Sequence, residues 1–205
     1  MKNKKYLIFT IGHSNHSLEE FVALLQQHEI TALVDVRSSP FSRFSPQFNK
    51  INLEQEMRKH HIKYVFLGRE LGARPEDSSC YGENGKVQFG RLKDSALFQE
   101  GIERVMRGAQ QHIIALMCSE KDPLQCHRFL LVSRALIKHN VDVSHILATG
   151  NLEPHEKTIA RLPDPAGAEQ DDLFDSKEDL VSLLQEKRIA YIDKEKTPDK
   201  TQEMS

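Results

Sequence analysis

Five short apolar runs, each passing through a polar or glycine-bearing loop toward a helix-like pattern, constrain this chain more than any single motif. The runs are Tyr6–Ile11, Ala32–Arg37, Lys63–Leu67, Ile113–Met117 and Val143–Leu147. Between the first two, Ser17-Leu18-Glu19-Glu20 has the spacing of a capping box and predicts an amphipathic helix to about Gln27. Further helices are predicted over 52–60, 95–109 and 123–139. Apolar strands that alternate with helices pair in parallel, because right-handed crossovers put the helices on the sheet faces. The expected fold class is therefore α/β: a single domain with a mostly parallel open sheet of about five strands and helices on both faces.

The hydrophobic content of 39% is enough for one core. Residues 1–162 are expected to form the α/β domain, and Pro163-Asp164-Pro165-Ala166-Gly167 marks the passage to an acidic C-terminal extension, 163–205. Within that extension, 173–192 reads as an amphipathic helix with Leu180, Leu183 and Leu184 on one face, docked on the body or on a second copy in a homodimer. Residues 164–205 hold 12 acidic and 6 basic side chains, so a tail of −6 follows a body of +4. The body suits a small anionic ligand, whereas nucleic acid is only weakly supported without a strong basic stripe. No apolar run is long enough to span a bilayer, no leader for export is evident, and an odd count of three cysteines points to reduced thiols in a cytoplasmic setting. The stretch from Gly68 to Lys93, with glycines at 68, 72, 82, 85 and 90, reads as a long irregular loop: a lid, a binding loop or an insertion.

In open α/β sheets ligands bind beyond the carboxyl ends of the strands. Those ends carry Gly12-His13-Ser14-Asn15, Asp35-Val36-Arg37, Gly68-Arg69-Glu70 and Cys118-Ser119-Glu120, so the polar material collects on one edge. The densest run is Cys118 to Arg128, where Asp122-Pro123-Leu124-Gln125 reads as a helix start. Beside such a terminus Cys118 reads equally as a thiolate nucleophile or as a small buried residue. A phosphatase-like loop is excluded, since Arg128 lies ten positions beyond Cys118 and no glycine intervenes. Cys126 falls on an apolar helix face and reads as packing. His127 and Arg128 lie in the first turns, where a cation needs an anion nearby. A zinc site built from Cys118, Cys126, His127 and His13 is disfavoured because a C-x7-C-H run lacks the close ligand pair of structural zinc motifs, and no metal or other cofactor is expected. Asp35 and Arg37 share a face, and they form either an anion site with Arg43 or an internal salt bridge. Ser14 reads as a ligand contact or a turn residue, and Phe41, Phe44 and Phe48 as stacking surfaces or a plug.

Taken together, Thr10-Ile11-Gly12-His13-Ser14, Asp35-Val36-Arg37-Ser38-Ser39-Pro40 with Ser42-Arg43, the stretch from Tyr64 to Gly72, and Cys118-Ser119-Glu120 leading to Cys126-His127-Arg128 resemble the domain of unknown function 488 family. The resemblance spans most of residues 6–155. It implies a compact α/β domain with these motifs at one site and supplies no reaction. The expected function is an enzyme acting on a small anionic or nucleotide-like substrate. Cys118, Glu120, His13 and His127 are the expected catalytic groups, and Ser14, Asp35, Arg37, Arg43 and Arg128 bind substrate. The alternative is a noncatalytic protein that senses a nucleotide or a nucleic-acid end.

Overall fold

Six strands, β1 (Tyr6–Gly12), β2 (Ala32–Asp35), β3 (Lys63–Phe66), β4 (Ile114–Cys118), β5 (Val141–Ile146) and β6 (Leu152–Pro154), form one sheet in the order β3-β2-β4-β1-β5-β6. The computed structural model describes residues 5–162. The first five strands run parallel and β6 pairs antiparallel with β5. The α/β expectation holds, with one short edge strand more than the apolar runs announce. Leu152–Pro154 is too short and too exposed to show as a hydrophobic run.

Helices α1 (Leu18–Gln27) and α2 (Lys50–Lys59) cover one face. Phe21, Val22 and Leu25 of α1 and Leu53 and Met57 of α2, spaced to share a helix side, pack against Phe9, Ile11, Leu33, Ala115 and Met117. The capping box starts α1 as expected: Ser17 Oγ accepts from the Glu20 amide at 3.1 Å, and Glu20 accepts from the Ser17 amide at 2.8 Å. The opposite face is covered by α3 (Gly68–Leu71), α4 (Phe89–Asp94), α5 (Ala96–Gly108) and α6 (Arg134–Lys138). There Phe98, Ile102 and Val105 of α5 pack with Phe129 to Val132 on Val34, Val36, Leu116 and Val143. Each such side chain contributes about 1.5–3 kcal/mol relative to exposure, so both helical layers hold the sheet firmly. A last helix, α7 (His155–Ala160), follows β6.

Two expectations change. The stretch 68–93 is not structureless: it contains α3, a 3-10 turn at Ser78–Cys80, a Tyr81 to Val87 bridge and α4, and it buries Leu71, Cys80, Val87 and Phe89. The helix expected from Pro123 to His139 is broken into a 3-10 turn (Pro123–Gln125), an extended Cys126, a π-helix (Arg128–Ser133) and α6. The extension 163–205 and its expected helix lie outside the described residues. Among the described residues no helix is long and apolar enough to cross a membrane.

The topology has a switch point. From β2 the chain continues through α2 on one face to β3 at the sheet edge, while from adjacent β4 it continues through α6 on the other face to β5, beyond β1. Neighbouring strands thus send their exits to opposite sides. In open α/β sheets such a switch point is where ligands bind, and here it falls between the carboxyl ends of β2 and β4, at Asp35 and Cys118.

Candidate functional site

The site begins where β4 ends, at Cys118. Beyond Glu120, the Asp122 carboxylate accepts the Leu124 amide at 3.1 Å and starts the 3-10 turn that Pro123 favours by its fixed φ. Cys126 then leaves the helical region altogether, with φ −127° and ψ 140°, and its side chain turns back toward the strand end. The following π-helix is held open by Ser133 Oγ, which donates to the Arg128 carbonyl at 2.6 Å. π-Helical turns are rare and concentrate at functional sites.

These local choices gather four donor groups. Cys118 Sγ and Cys126 Sγ each lie 3.0 Å from Glu120 Oε2. His127 Nδ1 is 3.6 Å from Cys118 Sγ and 4.0 Å from Cys126 Sγ. On its far side the His127 ring donates Nε2–H to the Val36 carbonyl at 3.0 Å, which ties β4's loop to β2 and turns Nδ1 toward the sulfurs. The Arg128 amide donates to Cys126 Sγ at 3.4 Å. Cys118, Cys126 and His127 are buried, and Glu120 is the partly exposed member.

The two thiols are not equivalent. Burial, together with neighbouring Cys126 and Glu120, pushes the Cys118 thiol well above its ordinary range. Burial would raise Cys126 as well, but the hydrogen bond from Cys118, the Arg128 charge and His127 outweigh it and bring Cys126 well below that range. Burial also opposes charge on His127, and its contacts with Cys126 and Glu120 raise it nonetheless. The helix terminus expected to activate Cys118 is absent, because the chain there is a 3-10 turn followed by extended backbone. Cys126, read from its spacing as packing, is indeed buried in the core, and its extended backbone also brings its sulfur into the cluster.

Arg128 is wholly buried. Its Nη1 and Nη2 donate to the Glu120 and Lys121 carbonyls at 2.6 and 3.2 Å, clamping the loop, while Nε has no hydrogen-bond partner. Gly12 allows this approach, for a Cβ there would stand 1.9 Å from the Glu120 carbonyl oxygen. Farther out, Arg161 ties the loop down by pairing with Asp122 at 2.6 Å and with Glu153 at 2.9 Å.

A second polar cluster sits on the α1/α2 side of the same edge. Arg37 grips Asp35 with two bonds, Nε to Oδ1 at 2.9 Å and Nη2 to Oδ2 at 2.6 Å, and Nη2 also donates to the Phe48 carbonyl at 2.8 Å. Tyr64 donates its hydroxyl to Asp35 Oδ2 at 2.7 Å, and burial followed by the Asp35 charge raises its pKa strongly. His13 stacks on Phe48 with ring centroids 4.4 Å apart, donates Nδ1–H to the Ser14 carbonyl at 2.9 Å and accepts from Arg37 Nη1 at 3.3 Å. Burial, then the Arg37 charge, lowers His13 to about 4, so the ring is neutral. Ser14, with φ 49°, continues the β1 to β4 ladder by donating its amide to the Ser119 carbonyl at 2.9 Å.

Of the residues singled out from the sequence, Cys118, Glu120, His127 and Arg128 thus form one group, and His13, Ser14, Asp35 and Arg37 another beside it. Arg43 joins neither: it is exposed on the 38–49 loop, between Phe41 and Phe44, which are also exposed, whereas Phe48 is a buried plug. Cys126 and Tyr64 complete the two groups without having been expected there. A groove of about 270 Å³ between α4 and α6, lined by Lys93, Arg134, Lys138 and His139 among others, contains none of these residues.

No curated protein and no solved structure matches the chain. A family model does, over residues 17–135, more than half the length, and the matched stretch includes both Asp35 to Arg43 and Cys118 to Arg128. By that match the chain belongs to the family described as domain of unknown function DUF488.

Proposed function

We propose that the chain is an enzyme acting on a small anionic or nucleotide-like substrate at the carboxyl edge of the sheet. The observation that carries this reading is the convergence of Cys118 and Cys126 on Glu120, with His127 against the Cys118 sulfur, at a topological switch point. A carboxylate 3.0 Å from two thiols is a costly arrangement for stability alone, because the same space filled by apolar side chains would need no polar compensation. Glu120, the accessible member, is the acid–base group, and the buried thiols and imidazole form the wall it works against. His13 has both ring nitrogens engaged and is placed as support rather than as a proton carrier.

A binding protein that senses a nucleotide or a nucleic-acid end is the second reading. It is favoured by Phe41 and Phe44, exposed on either side of Arg43 on the loop that leaves β2 beside Arg37. One screen separates the two readings. Phosphorylated and nucleoside compounds are incubated with the wild type, Cys118→Ser and Glu120→Gln, and products are followed by mass spectrometry. Turnover by the wild type that both variants lose supports catalysis, whereas binding without product supports the sensor.

A further inference from the structure

We propose that Cys118, Cys126 and His127 are three protein ligands of a zinc-class divalent metal ion, with Glu120 as an exchangeable fourth donor. The ligating atoms of the first three all lie within 4.8 Å of one another, and their carriers are buried. A tetrahedral ion with Zn–S of about 2.3 Å and Zn–N of about 2.0 Å places sulfur and nitrogen about 3.5 Å apart. The observed separations are 3.6 and 4.0 Å. Glu120 Oε2, at 3.0 Å from each sulfur, sits slightly inside such a polyhedron and needs only a small outward shift of a partly exposed side chain.

Two features outside the donor set point the same way. A metal-bound imidazole almost always gives its other N–H to a carbonyl or carboxylate, and His127 does so to Val36 at 3.0 Å, which fixes Nδ1 as the free donor. Arg128 is wholly buried, its Nη groups bond backbone carbonyls and its Nε has no hydrogen-bond partner. Thiolate ligands would set negative charge beside a guanidinium whose Nη groups bond neutral carbonyls. The Arg128 amide on Cys126 Sγ is the kind of bond that steadies a ligating thiolate. Binding displaces to solvent the protons that the two thiols and the imidazole hold between them, and no electron is transferred.

The spacing argument against zinc assumed a flexible knuckle with a close ligand pair. Here the strand end holds Cys118 and the extended Cys126 brings its neighbour His127 back to it, so a rigid sheet edge replaces the knuckle. Three buried protein ligands with one exposed, replaceable donor is the layout of a reactive zinc site rather than a closed structural one. The proposal stands whether the chain is an enzyme or a sensor.

The test is cobalt(II) titration of the reduced, chelator-treated full chain, with circular dichroism confirming the fold and zinc content measured on the protein as purified. The expected result is one ion per chain, with thiolate-to-cobalt charge-transfer bands and the intense visible absorption of tetrahedral cobalt. Cys118→Ser and Cys126→Ser should each weaken those bands and the affinity by about 100-fold or more, and Glu120→Gln by about 10-fold, while Cys80→Ser changes neither. A folded wild type that shows no thiolate–cobalt bands overturns the proposal without recourse to any variant. So does an ion retained unchanged in both serine variants, or a Cys118–Cys126 disulfide whose reduction leaves the chain unable to take up metal.

Discussion

The two polar clusters at the carboxyl edge are built from similar materials and solve different problems. Around Asp35, each strong group has its partner within the cluster: a carboxylate meets a two-pronged guanidinium and a phenol, and the imidazole is capped at both nitrogens. Around Cys118, two thiols meet a partly exposed carboxylate, an imidazole faces the sulfurs, and the nearby guanidinium is spent on backbone carbonyls. The first arrangement holds β1, β2 and β3 together at their ends. The second leaves reactive atoms facing one another, which is where chemistry rather than cohesion is to be sought.

That contrast breaks if the wrong cluster proves to carry stability. Asp35→Ala leaves Arg37 buried without its counter-charge, and the expected loss in urea denaturation is about 3–5 kcal/mol. A loss below about 1 kcal/mol would mean that Arg37 finds an anion elsewhere and that the pair is not the scaffold. Gly12→Ala comes next. The new methyl meets the Glu120 carbonyl and displaces the loop that carries the thiols, with an expected cost of about 1–3 kcal/mol and a loss of metal uptake or activity larger than that figure implies.

A third buried set, behind Phe129, sharpens the comparison by its response to acid. His145 lies 2.7 Å from Thr10 Oγ1 and 3.2 Å from His155. Burial, followed for His145 by its neighbour His155, lowers the two rings to about 2 and about 4. Because the unfolded chain binds these protons first, their contribution is complete above pH of about 6.5 and declines as pH falls toward 4. The expected loss is on the order of 1–3 kcal/mol per ring between those limits. The measurement is the urea midpoint against pH, compared with His155→Phe, which should flatten the slope. An unchanged slope would assign the acid sensitivity to other groups. The smallest expected effect on stability is that of Glu120→Gln, under about 1 kcal/mol, since the amide keeps the shape and the side chain is partly exposed.

The alternation of apolar runs made the sheet, both helical layers and the edge on which the site lies legible, because buried parallel strands leave so strong a periodicity. The local course of 123–133 was not legible. Asp122 and Pro123 signal a helix start equally well whether one turn or four follow, and nothing in Cys126-His127-Arg128 announces extended backbone followed by a π-helix. The packing of Cys126 in the core follows from the spacing, but the turn of its sulfur toward Glu120 does not. The order within 68–93 was hidden for a related reason: Gly68 and Gly72 mark tight approaches rather than freedom, a Cβ at Gly72 standing 2.2 Å from the Gly68 carbonyl oxygen, whereas Gly85 and Gly90 lie in open space. Asp35 and Arg37 were legible as neighbours on one face, and the salt bridge foreseen between them is present. Tyr64 was not, since its partner lies 29 positions away and only strand pairing brings them together.

The division of labour between the clusters rests on Glu120, so its removal is the most direct test. On whichever compound the wild type converts, the kcat of Glu120→Gln should fall by about 10²–10⁴-fold with the unfolding midpoint unchanged. An equal kcat in the folded variant would contradict the account and move the search for the reacting group away from the thiol cluster.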